Sequence, residues 1–334
     1  CATGSSGRDP ESLLGFDEIA GHTGPLICVP TTAGTGSEVS HSAVIRNSSN
    51  GKKAAALSQH LRPQVAVVDP ELTLSCPKKL TAESGIDALT HAIEAYLVTG
   101  YSYLTPEDNG TLPYEGNHPL GDLYAEKCIH LVGQSFLAAV HEPHDLEGRA
   151  GMSLAATLGG LAFSNCGVTL AHALEYPIGD RYQCAHGVGN GIVLPEVMRF
   201  LKKARGDRLA KIGQLLGVEA SSEAAIEEVS RLRREAGLPE RLREVGAEQS
   251  GGLGLDAEPR KVRARPPRRG SFLRPGGVVP ERLLRDSETG TSRVNTEGNF
   301  ELLGAAVGDK DHCNAFTRER VDKASKLLEQ LPKL

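Results

Sequence analysis

The chain has 334 residues, 39% of them hydrophobic and 24% charged, which leads one to expect about two globular domains with ample length for a buried core. A formal net charge of -5 argues against a chain-wide nucleic-acid surface. The seven cysteines (1, 28, 76, 128, 166, 184 and 313) contain no CxxC pair and no disulfide-framework spacing, so they read as small buried hydrophobes of a reducing, cytoplasmic compartment.

The chain begins at Cys1 rather than Met, as a fragment does, and no signal peptide is visible. Residues 1–24 are rich in Gly, Ser and Asp. Pro25–Pro30 is a short apolar run bounded by prolines and is expected to be a fully buried strand of an α/β sheet. It runs into Thr31-Thr32-Ala33-Gly34-Thr35-Gly36-Ser37-Glu38, small residues at the carboxyl end of a strand, where open α/β sheets bind phosphate or ribose. Such runs are also plain loops, and this one is neither GxGxxG nor a Walker motif. Strands are expected at 39–45 and 65–69, with Lys52 and Lys53 between them as a solvated turn or a phosphate contact.

From Pro77 the periodicity is helical, and it predicts helices over 79–98, 119–141, 145–162, 166–174, 187–199, 207–216 and 222–235. Residues 99–118 form a loop. The most apolar stretch, 151–174, is interrupted by Ser153, Ser164, Asn165 and His172, so a buried Gly/Ala-rich helix pair is preferred to a membrane span.

Within the first helix, Ser84-Gly-Ile-Asp-Ala-Leu-Thr-His-Ala-Ile-Glu-Ala-Tyr96 places Asp87 and His91 one turn apart on one face, with Ser84 as a plausible N-cap. The pair is either half of a metal site or an i,i+4 contact on a helix surface. Downstream, His172 stands in an apolar helix end and His186 precedes a glycine-rich helix start. Singly each reads as a satisfied core or capping histidine. Together with Asp87 and His91 they supply one carboxylate and three imidazoles, enough to hold one divalent ion with a position open for substrate.

Three motifs, in this order, carry a resemblance: PTTAGTGSE at 30–38, GIDALTHAIEAY at 85–96, and HALEYPIG…CAHGVGNG at 172–191. The chain resembles the iron-containing (metal-dependent, group III) alcohol dehydrogenase family from about residue 12 to about 245. The resemblance implies a dehydroquinate synthase-like architecture: a truncated α/β dinucleotide-binding part over 1–75, then an all-helical metal and substrate domain over 76–249. It implies Asp87, His91, His172 and His186 as ligands of Fe²⁺ or Zn²⁺. It implies Thr31, Thr32, Ala33, Gly34, Thr35 and Lys53 as the residues lining NAD or NADP. Where many relatives carry another histidine, four residues past the third ligand, this chain has Tyr176, which either relays a proton or packs in the cleft. The family's upstream GGGS phosphate loop is absent from the sequence.

The implied function is hydride transfer between NAD(P)(H) and a small alcohol or aldehyde, the metal polarising the substrate oxygen. A homodimer, no membrane and no nucleic acid are the accompanying expectations. The alternatives are an inactive truncated fragment that binds metal, and a hydroxyacid–oxoacid transhydrogenase, which an extra cation in the substrate cleft would favour. A dehydroquinate synthase-like lyase is disfavoured by the apolar surroundings of His172. Beyond about 250 the match ends. Residues 250–300 read as a basic, Arg/Pro/Gly-rich disordered tract, with seven basic and no acidic residues over 259–274, and 301–334 as a terminal segment ending in a helix over 317–334.

Overall fold

The computed structural model describes residues 8, 10–19, 21, 24–46, 53–104 and 112–246, together with the backbone of 300–302 and 305–307. Two units divide the chain, one formed by residues 1–104 with 113–245 and the other by 105–112 with 246–334. In the second, the described backbone is an antiparallel hairpin of Phe300–Leu302 and Ala305–Val307. The basic tract at 259–274 and the helix expected over 317–334 lie outside the described residues.

The first unit opens with five short strands: β1 (Gly15–Phe16), β2 (Ile27–Cys28), β3 (Ser42–Arg46), β4 (Lys53–Leu57) and β5 (Val65–Ala66). β1 and β3 flank β4, parallel and antiparallel respectively, and β2 pairs in parallel with β5. The strand expected at 25–30 is shorter and far less buried than the apolar run suggests. Ile27 is 63% and Val29 48% exposed, because β2 has only β5 beside it among the described strands. An apolar run bounded by prolines marks a strand but does not say what covers it.

Six helices follow: α1 (Lys78–Leu97), α2 (Pro119–His141), α3 (Leu146–Cys166), α4 (Leu170–Tyr182), α5 (His186–Leu215) and α6 (Ser222–Glu235). Their starts are set locally. Pro119 follows the His118 cap of α2, while Asp145 and Ser221 accept from backbone N–H groups in the first turns of α3 and α6. The predicted pair 187–199 and 207–216 corresponds to the two helical stretches of α5, which meet at a kink where Arg205 is non-helical (φ −134°, ψ 24°). The helix predicted over 166–174 instead begins at Leu170 and runs through Pro177 to Tyr182. No single described helix is long and apolar enough to cross a membrane. The apolar α3–α4 pair bends by 104°, and Met152, Phe163, Ala171 and Ile178 on it are buried.

α1 is the centre of this bundle, packed by α2, α3 and α5, and every residue from Ser84 to Leu97 is buried. It begins at Lys78 after Pro77, so Ser84 lies inside the helix and is not its cap. Its C-terminal carbonyls would be orphaned in the core. Arg205 donates to Leu97 O (3.1 Å) and Val98 O (3.3 Å), and Arg208 donates to Tyr96 O (2.7 Å), so the kink of α5 delivers two cations to the negative end of α1.

The Thr31–Glu38 turn leaves β2 and docks on α1 and α3. A Cβ on Gly34 would lie 2.4 Å from Ser84 O, one turn before Asp87, and a Cβ on Gly36 would lie 2.4 Å from the Cα of Gly160. Gly36 also has φ +62°, in the left-handed region. Buried Glu38 fastens the turn further by accepting from Thr157 Oγ1 at 2.7 Å. Gly36→Ala is therefore expected to destabilise the chain by about 2 kcal/mol or more, read as a lowered urea midpoint. Gly24→Ala, at a position with nothing within 4 Å, is the control and is expected to stay within about 0.5 kcal/mol of wild type.

Candidate metal centre

Three helices bring the candidate ligands together. Asp87 comes from the middle of α1, His172 from the first turn of α4, and His186 from the start of α5. Asp87 Oδ1 lies 3.8 Å from both His172 Nε2 and His186 Nε2, and one ligand atom from each residue falls within 4.8 Å of the other two. Asp87 and His172 are buried and His186 is half-buried.

His91 stands beside this group. Its ring stacks on that of His172 (centroids 4.7 Å) and of Phe163 (4.2 Å), and its Nδ1 lies 4.0 Å from Asp87 Oδ2, too far for a hydrogen bond. That nitrogen is buried and has no hydrogen-bond partner. The structure thus gathers Asp87, His172 and His186 directly, and places His91 one turn along α1 with a ring nitrogen unsatisfied.

The far nitrogens of two of these rings meet carboxylates. His172 Nδ1 is 2.5 Å from Glu94 Oε2, and His186 Nδ1 is 2.5 Å from Glu175 Oε2. A carboxylate at Nδ1 fixes the proton on that nitrogen and leaves Nε2 as a lone pair. Hence Asp87 Oδ1 and the two Nε2 atoms are three acceptors facing one another. The Asn190 amide stands between them: its Nδ2 donates to Asp87 Oδ1 (2.8 Å) and lies 3.2 and 3.3 Å from the two Nε2 atoms. Its Oδ1 is left without a partner. Converging acceptors, a single amide and an orphaned imidazole nitrogen make a donor set short of positive charge. Oxygen and imidazole ligands without a thiolate fit Fe²⁺ or Zn²⁺.

The electrostatics follow from burial and proximity. Burial alone would raise the Asp87 carboxyl, but His91, His186, His172 and the Asn190 hydrogen bond outweigh it and hold Asp87 below its ordinary value. Glu94 is held down in the same way, against its burial, by His172, Thr169 and the Ala171 amide. Burial pushes His91 down from 6.5 to about 4. Tyr176, whose ring lies 6.2 Å from that of His186, is raised by burial and by the charges of Glu175 and Asp87.

The Thr31–Thr35 residues form an irregular turn. Thr31 and Thr35 are exposed, Thr32 and Ala33 half-buried and Gly34 buried, and the turn follows the carboxyl end of β2. Thr35 Oγ1 accepts from Ser37 N at 3.3 Å. Lys53 opens β4 opposite Arg46, and its side chain lies outside the described residues.

Residues 113–253 match the Fe-containing alcohol dehydrogenase family, C-terminal part, and residues 6–70 match iron-containing alcohol dehydrogenase. The chain belongs to the iron-containing alcohol dehydrogenase family. Asp87, His91 and Glu94 fall between the two matched ranges, yet α1 carries them to the histidines of the second. The probable alcohol dehydrogenase EutG of Escherichia coli (strain K12) is 40% identical over 224 residues, covering 67% of this chain and 53% of that protein. The chain thus spans about half the length of that curated relative. Among solved structures, 1,3-propanediol oxidoreductase aligns with a TM-score of 0.66 at 31% identity, covering 73% of this chain and 62% of that one. Sulfoacetaldehyde reductase from Bifidobacterium kashiwanohense, solved in complex with NAD+, aligns with a TM-score of 0.58 at 33% identity, covering 66% and 54%.

Two residues of the site escape a reading for ligands alone, Glu94 and Glu175. Each stands three residues after a histidine of the set (His91 and His172), and that spacing is the available signal. The short hydrogen bonds of these carboxylates go to the next histidine of the set rather than to the one a turn before. Glu94 reaches His172 and Glu175 reaches His186, contacts that exist only in the folded bundle.

The depressed His91 gives a pH dependence with a defined sign. Its pKa is lower folded (about 4) than unfolded (6.5), so between these values the unfolded chain binds more protons and stability rises with pH. The metal-free chain is expected to lose stability as pH falls from about 6.5 towards 4, with Asp87 and Glu94 adding to the loss at the acid end. Urea midpoints at pH 7 and pH 5 measure it, and His91→Gln is expected to flatten the difference.

Proposed function

We propose that this chain is a metal-dependent oxidoreductase that moves hydride between NAD(P)(H) and a small alcohol or aldehyde. The observation that carries the reading is the convergence of Asp87, His172 and His186 on α1, α4 and α5, with the Thr31–Glu38 turn packed on the same α1 at Ser84. Asp87, His91, His172 and His186 are the proposed ligands of iron or zinc, and Thr31 to Thr35 with Lys53 the proposed lining of the nicotinamide cofactor. When bound, the metal supplies Lewis acidity to a substrate oxygen and the nicotinamide accepts or returns the hydride.

The chain's own residues supply the remainder. Asp87 brings the single negative charge among the four ligands. The turn aligns cofactor and substrate through its rigid seat on α1. Tyr176 keeps its proton, because burial and the neighbouring carboxylates oppose the phenolate. Its proposed part is to donate to, or receive from, the substrate oxygen. The relatives' names, alcohol dehydrogenase and 1,3-propanediol oxidoreductase, support a small alcohol as substrate. The cysteines described (28, 76, 128, 166 and 184) are all free thiols, which supports the cytoplasm as the working compartment.

The test is metal content and turnover on the same purified chain. About one equivalent of iron or zinc per protomer, lost in His172→Ala, with NAD(P)-linked oxidation of short alcohols, is the expected result. Tyr176→Phe is expected to keep the metal and lower kcat by about tenfold or more. Equal occupancy in wild type and His172→Ala would overturn the ligand assignment. Metal retention without turnover on either cofactor would overturn the oxidoreductase reading and leave a metal-binding protein.

A further inference from the structure

Burying a carboxylate costs several kcal/mol unless charge or hydrogen bonds compensate it. Asp87, Glu94 and Glu175 are 3%, 1% and 0% exposed, and imidazoles, amides and a hydroxyl meet their oxygens. A buried histidine does not in itself require a carboxylate. His41, fully buried in the same unit, is satisfied by neutral groups: its Nδ1 meets Ser164 Oγ at 2.8 Å and its Nε2 meets Pro113 O at 3.1 Å. Two of the three proposed ligand histidines, His172 and His186, and not His41, have an anion at the ring nitrogen turned away from the site.

The placement is serial. Glu94 on α1 holds His172 on α4, and Glu175 on α4 holds His186 on α5. Each helix thus fixes the ligand of the next. Glu94 is itself immobilised, its Oε1 accepting from Thr169 Oγ1 (2.8 Å) and Ala171 N (2.6 Å) while its Oε2 meets the imidazole.

We infer that Glu94 and Glu175 are positioning residues for the metal: each sets the Nδ1–H tautomer of one ligand histidine, aims its Nε2 at the ion, and adds a negative charge that the ion compensates. The inference rests on the metal-site reading above. The carboxylates hold these contacts in the metal-free chain as well, so they support the fold and preset the ligands at the same time.

Zinc affinity of the folded protein is what distinguishes positioning from structure. Glu94→Gln and Glu175→Gln keep the shape and an oxygen acceptor but remove the charge. Each is expected to weaken zinc binding by about 10- to 100-fold in competition with a chromophoric chelator. Affinity is measured at a temperature where each metal-free variant is folded by its own thermal melt, so that a change in metal-free Tm does not enter the comparison. Glu175→Leu, which removes the acceptor too, is expected to weaken binding further. A merely structural pair lowers the metal-free Tm and leaves the zinc affinity of the folded protein unchanged, and that unchanged affinity would overturn the inference. Glu94 also satisfies the Ala171 amide in the first turn of α4. Should Glu94→Gln not fold, Glu175→Gln and Thr169→Val carry the test, the latter with a smaller loss of affinity. Failure of the wild type to bind zinc would overturn the metal-site reading and this inference together, whereas unchanged affinity in the variants of a zinc-binding wild type overturns this inference alone.

Discussion

A helix buried on every side can carry ionisable groups only if the surrounding helices bring partners to them, and α1 carries Asp87, His91 and Glu94 in its buried stretch. That constraint organises the neighbours. α4 presents Thr169, Ala171 and His172 to Glu94, and α5 presents Asn190 to Asp87. The far end of α1 meets Arg205 and Arg208 from the kink of the same α5. The apolar residues of α1, among them Ile86, Leu89 and Ile93, supply the hydrophobic contact that keeps the helix in the core despite its charges. Polar satisfaction and apolar burial thus act on one element, and both depend on the same neighbours staying in place.

The connection from the site to the Thr31–Glu38 turn runs through close backbone approach rather than side-chain hydrogen bonds alone. Gly34 against Ser84 and Gly36 against Gly160 bring a turn at the end of a strand onto two helices, one of which carries Asp87. A turn seated in this way has little room to shift relative to Asp87, as the proposed hydride transfer between two bound partners would require.

Much of this was legible because it is periodic. The Asp87–His91 spacing, the apolar positions around it and the two later histidines identify one carboxylate and three imidazoles, and the helix boundaries at 119–141 and 222–235 coincide with caps visible in the sequence. What was not legible depends on tertiary contact. Ser84 has the chemistry of a cap, but Pro77 starts the helix earlier and Ser84 becomes the seat of Gly34. The apolar run at 25–30 has the composition of a buried strand, but only β5 lies beside it among the described strands. Glu94 and Glu175 read as ordinary helix-surface acids until the bundle sets them against His172 and His186. His41 gives the converse case, a buried histidine with no carboxylate and no part in the metal group.

X-ray absorption at the metal edge, on the chain loaded with one equivalent of zinc, tests the central claim most directly. A shell of nitrogen and oxygen alone at about 2.0–2.2 Å, with the outer-shell scattering of several imidazoles, is the expected spectrum. A sulfur shell at about 2.3 Å, or a nitrogen–oxygen shell without imidazole scattering, would mean that the ion binds elsewhere and that the acceptors gathered around Asp87 serve some other purpose.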